Sequence, residues 1–362
     1  SENLRILNAI RMKDPSIVVN GRLARTEEKN YGDYLNTADR PEEYYPVSNG
    51  AYWEAIPTTN ESYGYSSTDK SHKSTAHFIK LLAKATAMGG NILMNIGPKG
   101  DGSIDGHDIV ILKGLGQWMK GNRESVIAVA PSGLPRQPWG VITQRGNILY
   151  LHVFDGPQQG ELIVGGLKGR VKSVSSLSGK TIENYSVKDD GLHISTDRID
   201  REEGDSVVVV ELESNSMNPN DNDVICLDHN FSKNRLLSFY AKQIGPQMKF
   251  GDGKKDRYYV TGWTGLYQGL VWNTYVLTGG RFKVSVRYVK DVANTGGSLS
   301  LTLGGKDLDF VINPASPIGS RGIQLELGSV NLSKGNQKIE LKANSIEGAE
   351  MVKFLEVILD PE

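Results

Sequence analysis

The first third of the chain carries apolar side chains at helical and at strand spacings in turn. A helical stripe opens the sequence and comprises Leu4, Ile6, Leu7, Ile10 and Met12. Asp14-Pro15 ends this helix, and the apolar run 17-IVVN-20 predicts a buried strand after it. Because parallel strands are joined through strand–helix–strand units, a domain rarely opens on a crossover helix. We therefore expect the sequence to start within a larger unit.

Two more helices and one more strand are predicted before residue 124. A helix from about Thr68 to Met88, ended by Gly89-Gly90, has an apolar face of Phe78, Leu82 and Ala85. The strand 91-NILMNIG-97 leads into a turn. The next helix has an apolar face of Ile111, Leu112, Leu115, Trp118 and Met119. This order of elements over residues 1–123 is typical of a parallel (β/α) barrel or a doubly wound sheet.

Beyond residue 124 the pattern changes to short strands separated by turns. The first group lies at residues 148–154, 161–167, 171–177 and 207–213 and predicts an antiparallel β-sandwich over 124–213. A polar, turn-rich linker follows at 214–223. The second group lies at 281–289, 298–305, 337–343 and 352–359 and predicts a jelly roll over 224–362. The predicted fold class is α/β plus all-β: a partial (β/α) barrel followed by two β-sandwich domains, the last jelly-roll-like.

Charge and composition exclude several classes of function. The 362 residues include 41 basic and 42 acidic ones, a formal net charge of -1, so nothing indicates binding to nucleic acid or to an anionic membrane. The longest apolar runs, such as 205-DSVVVVELE-213, are too short to span a bilayer. Cys226 is the single cysteine, so no internal disulfide is expected, and the six histidines show no zinc-type spacing.

Candidate chemistry lies in the stretch 53-WEAIPTTNESYGY-65. In a β/α barrel the reacting groups stand at the C-terminal ends of strands and in the loops after them. A carboxylic acid beside the indole of Trp53, partly removed from water, would have a raised pKa. Glu54 would then suit the role of a general acid near neutral pH. The alternative is that Glu54 is a solvated loop acid and Trp53 a core residue.

Several segments resemble the second half of the catalytic domain of glycoside hydrolase family 29, the α-L-fucosidases. They are residues 53–65, HFIKLLAKATAMGGNILMNIGPKGDGSI at 77–104, LKGLGQWMKGNRESV at 112–126, and the upstream VVNGR and GDY. The resemblance covers about residues 1–213, because the family carries a β-sandwich behind its barrel. It implies a retaining exo-glycosidase that releases terminal α-L-fucose from glycans through a covalent intermediate.

The resemblance also implies roles for particular residues. Glu54 takes the acid/base position of the family's Trp-Glu pair, and Glu61 is the local competitor for that role. Arg40 is a candidate donor to sugar hydroxyls or else a solvated surface side chain. Trp53 and Tyr63 are candidate apolar faces for the sugar, with core packing as the alternative for Trp53.

Two departures from the family pattern affect these roles. Ser62-Tyr63-Gly64-Tyr65 replaces Ser-Trp-Gly-Tyr, which keeps an aromatic ring and adds a hydroxyl. Asp39 stands where the family places a Glu that contacts the sugar.

The family's nucleophile, an Asp in a Trp-x-Asp segment, has no counterpart in these 362 residues. Retention needs two carboxylates about 5 Å apart. This polypeptide by itself is therefore predicted not to hydrolyse fucosides. The sequence is equally consistent with a truncated chain, a proteolytic product, or one piece of a split gene whose N-terminal half comes from a separate chain or a dimer partner. The family also suggests an extracytoplasmic location, and no cofactor is expected to be required.

Residues 224–362 resemble the carbohydrate-binding modules often attached to glycosidases. The candidate sugar platforms are Trp263, Tyr267 and Trp272, although Trp272 begins a strand and suits a core position. Such modules often hold a structural calcium ion, for which Asp221, Asp223 and Asp228 are candidate ligands. A second hypothesis for the whole chain is therefore a non-catalytic glycan-binding or scaffold protein that acts through this domain.

Overall fold

A computed structural model describes most of the chain, and it is mostly β-structure with few helices. The described residues are 2–26, 29–47, 51–156, 160–199, 204–214, 221, 223–290, 296–312 and 321–362. Most of the predicted linker 214–223 thus lies outside the described residues. No helix in the described ranges is both long and apolar enough to cross a membrane.

The N-terminal part combines three helices with one open parallel sheet. Its elements are α1 (Glu2–Lys13), β1 (Leu35–Asp39), β2 (Trp53–Ile56), α2 (Thr75–Ala87), β3 (Asn91–Ile92) and α3 (Gly106–Asn122). The strand order is β1-β2-β3, with β1 parallel to β2 and β2 parallel to β3. The three predicted helices are therefore present. α2 starts later than expected, at Thr75, because the Ser74 side chain accepts a hydrogen bond from His77 N and caps the helix.

Two strand predictions in this part differ from the structure. Residues 17–20 are not a buried strand: Ile17 and Val18 are 42% and 67% exposed, and Asn20 forms an isolated bridge to Tyr34. The strand that pairs with β2 is β1, which lies in a polar segment without an apolar run to reveal it. The predicted strand 91–97 is shorter than expected, since β3 ends at Ile92.

One face of the parallel sheet packs against α2 and α3. Trp53 and Ala55 on β2 share a core with Phe78 and Leu81 of α2 and with Ile111 of α3. The indole of Trp53 is 2% exposed, and its Nε1 donates to the carbonyl oxygen of Met88 at 3.3 Å. The apolar side of the sheet is therefore filled by the helices.

Gly90 lies directly under the Trp53 indole, where a Cβ would overlap the six-membered ring. Replacing Gly90 with alanine is expected to lower the free energy of unfolding by about 1–3 kcal/mol, because overpacking forces side chains and backbone apart. Urea denaturation followed by tryptophan fluorescence measures the change. Gly100→Ala is the matched control, since its Cβ would meet nothing within 4 Å. Equal stability of the two variants would contradict this packing.

The middle part contains two antiparallel sheets that share one core. Its strands are β4 (Ala130–Pro131), β5 (Gly140–Arg145), β6 (Ile148–Val153), β7 (Glu161–Gly165), β8 (Val171–Ser176), β9 (Tyr185–Lys188), β10 (Gly191–Ser195) and β11 (Ser206–Leu212). The strand orders are β4-β5-β6-β11-β8 and β7-β10-β9. Leu151 of the first sheet and Leu192 of the second belong to the same hydrophobic cluster. All four predicted strands of this part are present.

The C-terminal part also consists of strands from two sheets around one core. Its strands are β12 (Val224–Asp228), β13 (Asn234–Leu237), β14 (Lys242–Ile244), β15 (Lys249–Phe250), β16 (Val260–Thr261), β17 (Gly269–Thr278), β18 (Gly280–Val289), β19 (Gly296–Leu303), β20 (Lys306–Ile312), β21 (Ile323–Leu332), β22 (Gly335–Glu347) and β23 (Lys353–Pro361). One sheet runs β12-β17-β22-β19-β20 and the other β15-β16-β23-β18-β21, with β14 and β13 added at β17 and β23. Trp272 and Phe354, from different sheets, lie in the same core.

A buried charge cluster joins the N-terminal part to the C-terminal part. Glu43 is 5% exposed, and its two carboxylate oxygens accept from Lys84 Nζ at 2.9 Å and from Arg235 Nη1 at 2.8 Å. Arg235 also donates through Nε to the buried Glu356 at 2.6 Å. Lys84 belongs to α2 and Arg235 to β13, so these contacts fix one part against the other.

Candidate active site

The face of the parallel sheet opposite the helices is polar. Glu54 on β2 is paired in register with Asn36 on β1 and Asn91 on β3, so the three side chains point to the same side. Successive residues of a strand point to opposite faces of the sheet. Trp53 therefore points toward the helices, and Glu54 points toward the polar face. The expectation that Glu54 lies against the Trp53 indole is therefore wrong, and so is the assignment of Trp53 to sugar binding, because its ring is buried under α2.

Glu54 is held in place by its neighbour on β1. Asn36 Nδ2 donates to Glu54 Oε1 at 2.8 Å, and both residues are partly buried. Glu54 also stands two residues before the end of β2, inside the strand. Its carboxylate is thus oriented by one amide while the rest of it remains available on the polar face.

Arg40 and Glu61 form an ion pair at the C-terminal edge of the sheet. Arg40 directly follows β1, and its Nη1 donates to the backbone oxygen of Glu61 at 2.6 Å and to Glu61 Oε2 at 3.3 Å. Lys73 Nζ lies 2.9 Å from the other carboxylate oxygen. Burial raises the pKa of Glu61, but the hydrogen bond and charge of Lys73 and the charge of Arg40 outweigh it and lower the pKa overall. The Glu61 carboxylate is therefore stabilised by two neighbouring cations, Arg40 and Lys73.

Tyr63 follows in the same loop, and a residue of the segment after β3 holds its backbone. Asn95 Nδ2 donates to the carbonyl oxygen of Tyr63 at 2.6 Å. Its ring is half-buried, and burial together with the nearby charge of Asp39 raises the pKa of its hydroxyl. The phenol is therefore neutral at ordinary pH and can both donate and accept a hydrogen bond.

Two residues at this edge have strained backbone conformations. Arg40 has φ 56° and Tyr63 has φ 69°, values that non-glycine residues seldom adopt. Such conformations cost on the order of 1–3 kcal/mol each and cluster at active sites and ligand-binding loops. Two of the sequence-predicted substrate residues thus carry the kind of strain that marks a functional edge.

Three buried polar atoms in the described part of the parallel sheet and its loops make no hydrogen bond. Within the described part of the chain, Asn36 Oδ1, Arg40 Nε and Asn60 Oδ1 are buried and make no hydrogen bond. Buried polar atoms are nearly always paired in folded proteins, and exceptions call for a partner such as a ligand or solvent.

Sequence reasoning missed Asn36 and Asn95. Asn36 lies in the polar segment between residues 20 and 53, where nothing distinguishes a strand from a loop. Asn95 lies in the segment 91-NILMNIG-97, where nothing local indicates a role, and its Nδ2 donates to Thr58 Oγ1 at 3.1 Å as well as to the Tyr63 backbone. Both became visible only through the pairing of neighbouring strands.

The predicted sugar platforms of the C-terminal part have different environments. Trp263 and Trp272 are both 0% exposed, and their Nε1 atoms donate to the backbone oxygens of Val260 and Leu237. Neither indole has a free face, so their assignment to sugar binding is wrong. Tyr267 is 62% exposed, and the neighbouring Leu266 is 59% exposed.

Among the described residues, Asp221, Asp223 and Asp228 do not belong to a converging group of three or more imidazole, thiol or carboxylate side chains, and the calcium site stays a prediction. In the described residues, the one place where three or more such groups converge is formed by His72, Asp105 and His107. Asp228 is fully buried instead, and its Oδ1 accepts from Asn230 N at 3.0 Å. Burial raises the pKa of this carboxyl group.

The model of the alpha-L-fucosidase family matches residues 2–124. The alpha-L-fucosidase of Dictyostelium discoideum is 28% identical over 170 residues, which is 45% of this chain and 36% of that protein. The alpha-L-fucosidase of Branchiostoma floridae is 29% identical over 41% of this chain and 34% of that protein. The chain thus spans about a third of the length of these relatives, and the predicted resemblance is confirmed over that range.

Solved structures extend the likeness in fold. The alpha-L-fucosidase from Vibrio sp. strain EJY3 superposes with a TM-score of 0.70 over 99% of this chain and 63% of that chain, at 23% identity. Alpha-L-fucosidase isoenzyme 1 from Paenibacillus thiaminolyticus reaches a TM-score of 0.52 over 58% of this chain and 53% of that chain, at 26% identity. The first of these likenesses concerns the fold alone.

Proposed function

We propose that this chain is part of a retaining exo-α-L-fucosidase that releases terminal α-L-fucose from glycans, on the premise that residues 2–124 belong to the alpha-L-fucosidase family. The observation that carries the proposal is Glu54 on the polar face of a parallel sheet, oriented by Asn36 within the family-matched range. We also propose that the chain folds as a partial (β/α) barrel followed by two β-sandwich domains. The likeness in fold to a solved alpha-L-fucosidase structure supports this architecture.

Glu54 would act as the acid/base residue of a double displacement. It first protonates the departing glycosidic oxygen while a nucleophilic carboxylate attacks the anomeric carbon, and then removes a proton from the water that releases fucose. Arg40 and Tyr63 would contact sugar hydroxyls at the edge of the sheet. The nucleophile would be a second carboxylate, for which these 362 residues show no counterpart of the family's Trp-x-Asp segment.

An aryl α-L-fucoside assay tests this function directly. The native gene product that contains this sequence is expected to release the aryl alcohol, whereas the purified 362-residue polypeptide is expected to show no turnover above buffer. Absence of activity from the native product, on aryl fucosides and on fucosylated oligosaccharides alike, would reject the proposal.

A second candidate function, glycan binding by the C-terminal part, is supported by Tyr267. One side of its ring packs over Gly265, where a Cβ would overlap it, and most of the side chain is exposed. Flat aromatic surfaces with one polar end are well suited to stacking on sugar rings. We also propose an extracytoplasmic location for the protein. A structural calcium ion in the C-terminal part is proposed by analogy with other sugar-binding modules.

Replacing Tyr267 with alanine is expected to weaken glycan binding at least tenfold, because truncation of a central aromatic contact commonly costs more than 1 kcal/mol. Glycan-array binding of the intact chain, followed by isothermal titration calorimetry on the strongest ligand, measures the change. Val311→Ala is the control, since this side chain is 62% exposed in the same part of the chain. Equal affinities of both variants would remove Tyr267 from the binding surface.

A further inference from the structure

Two histidines from different elements lie next to each other beside the candidate active site. His72 belongs to the loop before α2, and His107 lies in the first turn of α3. Their rings stack with centroids 4.7 Å apart and an interplanar angle of 22°. One ligand atom each from His72, His107 and Asp105 lies within 4.8 Å of the other two. This spacing brings three donor atoms within reach of a single ion.

A fourth residue, Asp108, lies beside His72. Its side chain is 1% exposed, and Oδ1 makes no hydrogen bond within the described ranges, although it lies 3.6 Å from His72 Nε2. Oδ2 accepts from the backbone nitrogen of Gly97 at 3.3 Å. A buried carboxylate oxygen without a hydrogen bond is costly, so it favours a nearby cation.

We propose that His72, Asp105 and His107 form a binding site for a divalent transition-metal ion of the zinc type, with the Asp108 carboxylate as a nearby negative charge beside His72. Imidazole nitrogens combined with carboxylate oxygens are typical zinc ligands, whereas calcium and magnesium prefer oxygen ligands throughout. Asp105 Oδ1 also lies 2.8 Å from His107 Nδ1, a contact that orients the imidazole ring.

The local electrostatics are compatible with a cation. The site lies at the N-terminus of α3, where the helix dipole disfavours positive charge. Asp105, which caps the helix, and Asp108 in its first turn place two carboxylates there. Lys99 Nζ is the nearby positive group, 3.7 Å from Asp105 Oδ2. The two carboxylates outnumber this lysine. A metal cation would therefore bind where negative charge predominates.

A metal ion at His72 would fix the loop that carries the candidate substrate residues. Glu61 N donates to Ser71 Oγ at 2.8 Å, and the Lys73 ammonium binds the Glu61 carboxylate. His72 stands between these two contacts. Holding His72 against α3 would therefore hold residues 61–73, including Tyr63, at the edge of the sheet. The role inferred for the ion is structural.

Zinc titration of the intact, chelator-treated chain tests the site. Isothermal titration calorimetry is expected to show one saturable zinc site, and His72→Ala and His107→Ala are each expected to weaken the affinity at least tenfold. Zinc should also raise the melting temperature of the unaltered chain and of the control, but not that of these variants, because the ion binds only the folded state. Acidification should weaken binding, since the ligands must lose their protons.

His229→Ala is the control variant, because His229 lies far along the chain and its Nε2 is 3.1 Å from the backbone oxygen of Arg281. Circular dichroism checks that each variant is folded, and His107 at 63% side-chain exposure is the safer replacement. No saturable heat, or an affinity unchanged in either site variant, would overturn the proposal and leave only a His72–Asp108 ion pair. The readout is metal binding, so it does not depend on fucoside hydrolysis.

Discussion

Replacing Glu54 with glutamine in the native gene product is expected to lower kcat for fucosides with poor leaving groups by about 10²–10⁴-fold. The amide keeps the shape and the hydrogen-bonding contact with Asn36 but cannot give a proton to the departing oxygen, and general acid catalysis contributes on this scale. Steady-state kinetics on aryl α-L-fucosides with leaving groups of different pKa measure the effect.

The dependence on the leaving group distinguishes an acid/base residue from a positioning one. A leaving group that departs without protonation, such as fluoride, needs little help in the first displacement. The loss in the first step should therefore be much smaller for fucosyl fluoride than for a poor phenolate. Azide, a nucleophile that needs no general base, should restore the second step in Glu54→Ala.

Glu61→Gln is the matched control because Glu61 is the nearby competitor and is also a glutamate. Its ion pairs with Arg40 and Lys73 suggest a supporting role, so KM should rise more than kcat falls. A larger dependence on the leaving group in Glu61→Gln than in Glu54→Gln would move the acid/base role to Glu61.

Replacing Glu43 with glutamine is expected to lower the free energy of unfolding by about 2–3 kcal/mol. The substitution leaves Lys84 and Arg235 without their shared carboxylate, and breaking a buried ion pair typically costs about 3–5 kcal/mol. The loss is smaller here because Arg235 keeps Glu356 and Lys84, 25% exposed, can reach water. Urea denaturation at neutral pH measures it.

The same contact predicts a dependence of stability on pH. Burial raises the pKa of Glu43, but the charges and hydrogen bonds of Lys84 and Arg235 outweigh it and hold the pKa below its ordinary value of 4.5. A carboxyl group with a lowered pKa in the folded state stabilises the protein above its unfolded-state pKa, and this stabilisation is lost as the pH falls. The difference between the unaltered chain and Glu43→Gln should therefore be largest near pH 7 and shrink below about pH 4.5.

Glu2→Gln serves as the control for this prediction. The Glu2–Arg5 pair is exposed at 64% and 73%, and exposed pairs contribute little to stability. If Glu43→Gln is no less stable than Glu2→Gln at neutral pH, the charge cluster does not hold the two parts together.

Helices and half-buried antiparallel strands were predictable because each one shows its periodicity locally. α1, α2 and α3 formed where apolar residues recur at helical spacing, and the regular strands of the later parts formed where apolar and polar residues alternate. The prediction of a strand at 17-IVVN-20 was wrong, because an apolar run does not by itself specify a strand partner. β1 was not predicted, because its residues, LNTAD, carry no alternation of apolar and polar positions.

The sequence by itself revealed the resemblance of residues 2–124 to alpha-L-fucosidases and singled out Glu54 as the candidate acid, since both rest on residue types at fixed local spacing. Only the tertiary structure decided which face each side chain takes and which distant residues meet. The alternation along β2 places Trp53 in the core and Glu54 on the opposite face. In the C-terminal part, Trp263 and Trp272 are buried and Tyr267 is exposed. Folding also brought His72 beside His107, because loops and helix ends from different segments converge at one sheet edge, and no local pattern encodes that contact.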